Sequence, residues 1–275
     1  MTDGNYILVN GSFVPATEFR ISLQELDGFL FSEKIRAVRS TFPFFRDSLE
    51  IIILKLHIFN QLSPELADNE GLELKRQMGR TLTKNKQFFG SIITIRFWLC
   101  EQKLQYSIQC TKTETTGYEL NNKGLHIAVF QNIRKSISTL SNLSLGSEAY
   151  WKVADYQLKK CSIDQFLLLN TQDEITETSG SNIYLIKKGI VKGARKNQGA
   201  YTDITKQLML SIFDELKLSY TENDGITEQD VKDADEIFLV NALDGIRWVL
   251  GFEGKRYFNN TIKKINDLFI SNLIN

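Results

Sequence analysis

Two α+β domains joined by a polar linker are the architecture this chain of 275 residues predicts. Three observations carry that reading. Residues 93–99 and 104–110 alternate apolar and polar side chains as paired strands do, and residues 49–62, 205–216 and 261–273 space their apolar side chains as helices do. Between these signals lies Thr111 to Asn122, rich in Thr, Glu and Asn and broken by Gly117. A boundary there gives a smaller N-terminal α+β domain, 1–115, and a larger C-terminal one, 116–275.

In chain order, Tyr6 to Val9 and Phe13-Val14 flank Asn10-Gly11, a pair whose tolerance of positive φ suits a two-residue hairpin. The apolar run Phe42 to Phe45 leads through Asp47-Ser48, a candidate N-cap, into the helix expected over 49–62, and a more polar helix follows over 70–82. The alternating runs 93–99 and 104–110 then form a hairpin across Glu101-Gln102-Lys103. After the linker come a strand at 126–130, a loop to Gly146, a helix over 148–160 and a strand at 165–169. Residues 182–186 and 190–192 form a second hairpin across Lys187-Lys188-Gly189, and Thr205 to Leu216 is an amphipathic helix. A short capped helix at 227–231, strands at 236–240 and 246–250, and the helix 261–273 close the chain.

Composition narrows the function. Lys plus Arg (33) equals Asp plus Glu (33), so no global field draws nucleic acid or an anionic membrane. Cys100, Cys110 and Cys161 have no metal-ligand spacing, and His57 and His126 are the only histidines, which argues against a metal centre or disulfide framework. Apolar runs such as Ile51 to Leu54 fall far short of the ~20 residues of a spanning helix, and no basic-then-apolar leader opens the chain. A cytoplasmic protein is the expectation.

Two segments carry more than fold. Leu167-Leu168-Leu169-Asn170 is followed by Ile175-Thr176-Glu177-Thr178-Ser179-Gly180-Ser181-Asn182-Ile183-Tyr184, and later comes Ala234 to Ile246 with Asn241-Ala242-Leu243-Asp244-Gly245 at its turn. Both resemble signatures of the fold-type IV pyridoxal-phosphate enzymes, which include branched-chain aminotransferases, D-amino-acid aminotransferases and aminodeoxychorismate lyases. Asp203-Ile204-Thr205-Lys206 stands where that family has Gly-Ile-Thr-Arg, and Asn10-Gly11 and Asp27 to Phe31 resemble its opening segment. Asn241-Ala242-Leu243 is nearest to the aminodeoxychorismate lyase branch. Taken singly, each segment also reads without a ligand: 175–184 as strand, turn and strand with Glu177 solvated, 203–205 as a helix cap, and 234–246 as a core strand and its turn. Four matches in the right order favour the resemblance, which fixes fold better than reaction.

The resemblance implies a two-domain class IV aminotransferase-like fold, a homodimer, and pyridoxal phosphate as cofactor. Glu177 would face the pyridine nitrogen, whose protonation makes the ring an electron sink. Ile204 and Thr205 would open a helix whose amides hold the phosphate, and Asn241 and Ala242 would supply the other phosphate contact. The family's Schiff-base lysine, however, falls on Ser144, thirty-three residues before Glu177, and no lysine lies between Lys135 and Lys152. A serine hydroxyl neither forms the Schiff base nor carries its proton. Other departures concern the same pocket: Ser32-Glu33-Lys34-Ile35 replaces a glycine-rich segment, Ile52 a phosphate-binding arginine, Ser48 a histidine, and Asp203 puts a negative charge at the phosphate helix.

These departures imply a pseudoenzyme: a homologue with an eroded cofactor site, retained as a small-molecule-binding or partner protein or for a different reaction. The alternative is an active aminotransferase or aminodeoxychorismate lyase in which Lys34, Lys135 or Lys152 replaces the missing lysine. An amino group poised over Glu177, or a coenzyme bonded to the chain, would overturn the pseudoenzyme reading.

Overall fold

The Asn10-Gly11 pair adopts the conformation its chemistry allows, φ of 46° and 84°, and folds β1 (Tyr6–Val9) onto β2 (Ser12–Pro15) with Val9 opposite Ser12. It opens the first of two compact units, Met1–Gly117 and Tyr118–Asn275, in a computed structural model that describes residues 5–61 and 68–274. The remaining elements of the first unit are α1 (Leu23–Asp27), β3 (Phe29–Val38), α2 (Phe45–Ile58), α3 (Leu72–Lys84), β4 (Gly90–Cys100) and β5 (Lys103–Lys112). The strands form one antiparallel sheet, β2-β1-β5-β4-β3. Alternation in β4 buries Ile93, Ile95 and Phe97, and the helices bury Leu49, Ile52 and Leu56 of α2 and Leu74, Met78 and Leu82 of α3.

Three boundaries in this unit differ from the sequence expectation. The strand β3 was not foreseen, because Glu33, Lys34 and Arg36 interrupt its alternation; Arg36 is nonetheless buried, its Nη2 donating to the carbonyls of Thr115 and Gly117. Helix α2 starts at Phe45 rather than 49, so Asp47 and Ser48 lie inside it and do not cap it; burial of Phe44 and Phe45 sets its start. It ends at Ile58 because Asn60 turns left-handed (φ 53°) and Gln61 N returns to Leu56 O at 2.8 Å. Residue 62 of the expected helix lies outside the described residues.

The second unit contains β6 (Leu125–Val129), α4 (Ser144–Leu158), β7 (Gln165–Leu169), β8 (Ile175–Glu177), β9 (Asn182–Lys187), β10 (Ile190–Gly193), α5 (Lys206–Glu215), β11 (Ser219–Thr221), α6 (Glu228–Asp233), β12 (Glu236–Asn241), β13 (Gly245–Phe252), β14 (Lys255–Arg256) and α7 (Asn260–Ile274). The sheet runs β11-β10-β9-β12-β13-β6-β7-β8, with β14 beside β13. Its pairs β13·β6, β6·β7 and β10·β11 are parallel. One face buries Ile127, Leu167, Leu169, Ile183, Leu185, Ile237, Leu239 and Val249 together. Helix α4 begins four residues earlier than expected, directly after a 3-10 turn at Thr139–Asn142. Gly146 permits that junction, since a Cβ there would lie 2.4 Å from Leu140 O.

Candidate functional site

The site of the second unit grows from the end of β7. Lys135 N donates to Leu169 O at 2.7 Å and Thr171 N donates to Lys135 O at 3.1 Å, so the backbone of Lys135 is fastened beside Asn170. Its side chain is driven inward, to 1% exposure. There Lys135 Nζ donates to Ser141 O at 2.8 Å and forms an ion pair with Glu177 Oε1. Glu177, at the end of β8, is itself 0% exposed. Its Oε1 also accepts from Trp151 Nε1 at 3.1 Å, and its Oε2 accepts from Tyr201 N at 2.8 Å. Burial pushes the Lys135 amine below its ordinary value, while the charge of Glu177 and the hydrogen bond to it pull the other way.

Tyr201 continues the network. Its phenol donates to Asp203 Oδ2 at 3.2 Å, and its ring meets Trp151 edge to face at 4.9 Å. Asp203 is buried at the start of α5, where its Oδ1 accepts from Thr205 N at 2.9 Å and from Thr205 Oγ1 at 2.7 Å. Asp203 N donates to Asn182 Oδ1 at 3.0 Å, and Asn182 Nδ2 donates to Tyr201 O at 2.6 Å. Ile204, between the two, is half-buried. Thus the residues from Lys135 to Thr205 form one hydrogen-bonded chain through Glu177, Tyr201 and Asp203.

The other named positions take up structural bonds. Asn241 Oδ1 accepts from Leu243 N at 2.8 Å and Asp244 N at 2.7 Å, shaping the turn between β12 and β13, and its Nδ2 donates to Ser181 Oγ at 2.7 Å. Ala242 O accepts from Tyr118 Oη at 2.9 Å. Ser144 is the first residue of α4. Of the three lysines weighed as replacements, Lys152 is exposed and 3.6 Å from Glu148 on its own helix, and Lys34 is exposed on β3. Lys135 alone of these three lies on Glu177. In the first unit, Ile52 and Ser48 are buried on α2, and Glu33 pairs with Lys55 of the same helix.

Sequence reasoning passed over Trp151 and Tyr201. No motif announces either: Tyr201 enters through its backbone amide, which any residue could supply, and Trp151 through the pitch of α4.

The sequence profile described as amino-transferase class IV matches residues 90–251, more than half of the chain. The chain belongs to the class IV aminotransferases. A curated relative, the probable branched-chain-amino-acid aminotransferase of Aquifex aeolicus, is 24% identical over 152 residues, 52% of this chain. That match spans about half of the relative, 49% of its length. The branched-chain aminotransferase of Thermoproteus uzoniensis, solved with norvaline, superposes with a TM-score of 0.83 at 19% identity, covering 98% of this chain and 95% of that one. A putative 4-amino-4-deoxychorismate lyase of Legionella pneumophila superposes with a TM-score of 0.78 at 21% identity, covering 94% and 97%. The class IV aminotransferase fold expected from the sequence is therefore the fold of this chain. Among the described residues no helix is long and apolar enough to cross a membrane.

Class IV aminotransferases depend on pyridoxal phosphate, which asks two things of the site. One is a carboxylate free to accept a ring N–H; the other is a set of donors free to converge on a phosphate. Here the carboxylate of Glu177 already takes three donors, and the amide and hydroxyl of Thr205 already face the carboxylate of Asp203.

Proposed function

We propose that this class IV aminotransferase homologue has lost lysine-based Schiff-base chemistry and serves as a cytoplasmic, homodimeric binding or partner protein. Lys135 does put an amino group on Glu177, the outcome set above against a pseudoenzyme; what carries this reading nonetheless is the end of the ring which that amine meets. In the pose the family resemblance implies, Glu177 meets the ring nitrogen, and the aldehyde carbon lies on the opposite, para side of the ring. An amine bonded to Glu177 therefore stands at the end of the ring where no aldehyde is. The position from which the family's lysine acts holds Ser144, and a hydroxyl supplies neither the imine nor a base titrating near neutrality. On this reading the residues present do not fit pyridoxal phosphate.

A second reading has one observation in its favour: a buried amine with lowered basicity lies on Glu177, and such an amine is the kind that forms Schiff bases. It makes the protein an active aminotransferase or aminodeoxychorismate lyase with Lys135 as the displaced lysine and the cofactor ring reversed. Incubation with excess pyridoxal phosphate, borohydride reduction and peptide mass mapping separates the two. The expected result is a colourless protein with no site-specific label. A yellow protein labelled at Lys135 would install the second reading in place of the first.

A further inference from the structure

Resting on the reading that the cofactor is not used, the structure points to a specific replacement for it. We infer that the side chains of Lys135 and Asp203 stand in for the two polar ends of pyridoxal phosphate, closing the site from within. Glu177 and the first turn of α5 would otherwise be a buried anion and a set of inward-facing donors, each costly without a partner. The ammonium of Lys135 supplies to Glu177 the positively charged N–H that a protonated ring nitrogen would supply. The carboxylate of Asp203 supplies to Thr205 N and Oγ1 the negatively charged oxygens that a phosphate would supply.

The order of signs matches as well. A coenzyme would place a positive end on Glu177 and a negative end on the start of α5, and the chain places Lys135 and Asp203 there in that order. Tyr201 joins the two ends, donating from its amide to Glu177 and from its phenol to Asp203. Trp151 packs edge to face on Tyr201 and donates to Glu177, so it reports on the same network. Asp203 thus has a purpose that erosion alone does not give it: a residue that repels a phosphate also satisfies the donors left without one.

The test uses full-length protein titrated with pyridoxal phosphate, read by tryptophan fluorescence and by thermal melting. Wild type is expected to show no saturable response. The Lys135→Ala/Asp203→Gly double variant, with both stand-ins removed, is expected to bind pyridoxal phosphate noncovalently at least about tenfold more tightly than wild type and to melt higher with it than without it. Ser144→Lys alone is expected to stay colourless, because restoring the amine does not reopen the site. Asp203→Gly alone leaves the ion pair in place and keeps the test alive if the double variant does not fold; it is expected to gain saturable binding of inorganic phosphate.

Colour in Ser144→Lys alone would overturn the inference, as would a folded double variant that binds no better than wild type, or an Asp203→Gly protein indifferent to phosphate. Wild type that colours and labels overturns the reading of Proposed function as well. A colourless wild type with an unresponsive double variant leaves that reading standing and sinks only this one.

Discussion

Lys135 is the residue on which the site turns, and its burial sets its energetics. Two charges at 1% and 0% exposure have given up most of their hydration, and the ion pair with the bonds to Ser141, Trp151 and Tyr201 offsets that loss. Removing one partner strands the other. Lys135→Met is accordingly expected to destabilise the protein by about 3–5 kcal/mol in urea unfolding, and adding Glu177→Gln in the same chain to recover most of that loss. A Lys135→Met effect no larger than that of a surface substitution would show that Glu177 finds another partner. Glu177 was legible in the sequence through its place in a motif. The selection of Lys135 over Lys34 and Lys152 was not legible, because it depends on a backbone pairing with the end of β7 that leaves no trace in residue spacing.

Elements built on local chemistry were the most legible. The hairpin at Asn10-Gly11 and the capping box of α6, where Thr227 Oγ1 accepts from Asp230 N and Asp230 accepts in return from Thr227 N, follow from residue type alone. The hairpin β4–β5 was legible by alternation, yet its turn uses residues poorly suited to it. Glu101 and Gln102 both take positive φ, 50° and 63°, a conformation side chains disfavour. Replacing them with Asn-Gly is expected to raise stability by about 1 kcal/mol, measured as a shift in urea midpoint without a change in slope. The cap of α6 also gives a pH dependence. Burial opposes ionisation of Asp230, but hydrogen bonds from Thr227 and the ion pair with Lys192 outweigh it and hold the carboxyl below its ordinary 3.8. The folded value being the lower, its contribution is complete above pH 3.8 and is lost as pH falls through the folded value. Asp230→Asn should lower stability at pH 7 and flatten that acid limb in melts taken between neutral and acid pH.

At the scale of the whole molecule, the sheet of the second unit was legible only as a partial list of strands, without β11 and β14. Its order depends on a pairing, β6 with β13, between residues more than a hundred positions apart, which periodicity does not encode. Strand β6 pairs in parallel with β13, Leu125 opposite Val249, and β13 in turn pairs with β12 through Phe238 and Trp248. Sitting between them, β13 covers one edge of each neighbour. Behind it α7 buries Ile262, Ile265 and Phe269, and the ring of Phe269 meets Tyr118 edge to face at 5.6 Å. The last thirty-one residues therefore close a sheet begun at residue 125, and until they arrive two strands expose unpaired N–H and C=O groups beside apolar side chains. A chain ending at residue 244 is expected to expose both edges at once, to bind a hydrophobic dye that the full-length protein excludes, and to partition into the insoluble fraction. Recovery of that truncated chain as a soluble protein that excludes the dye would mean that the remaining strands of the second unit find a closed arrangement without β13.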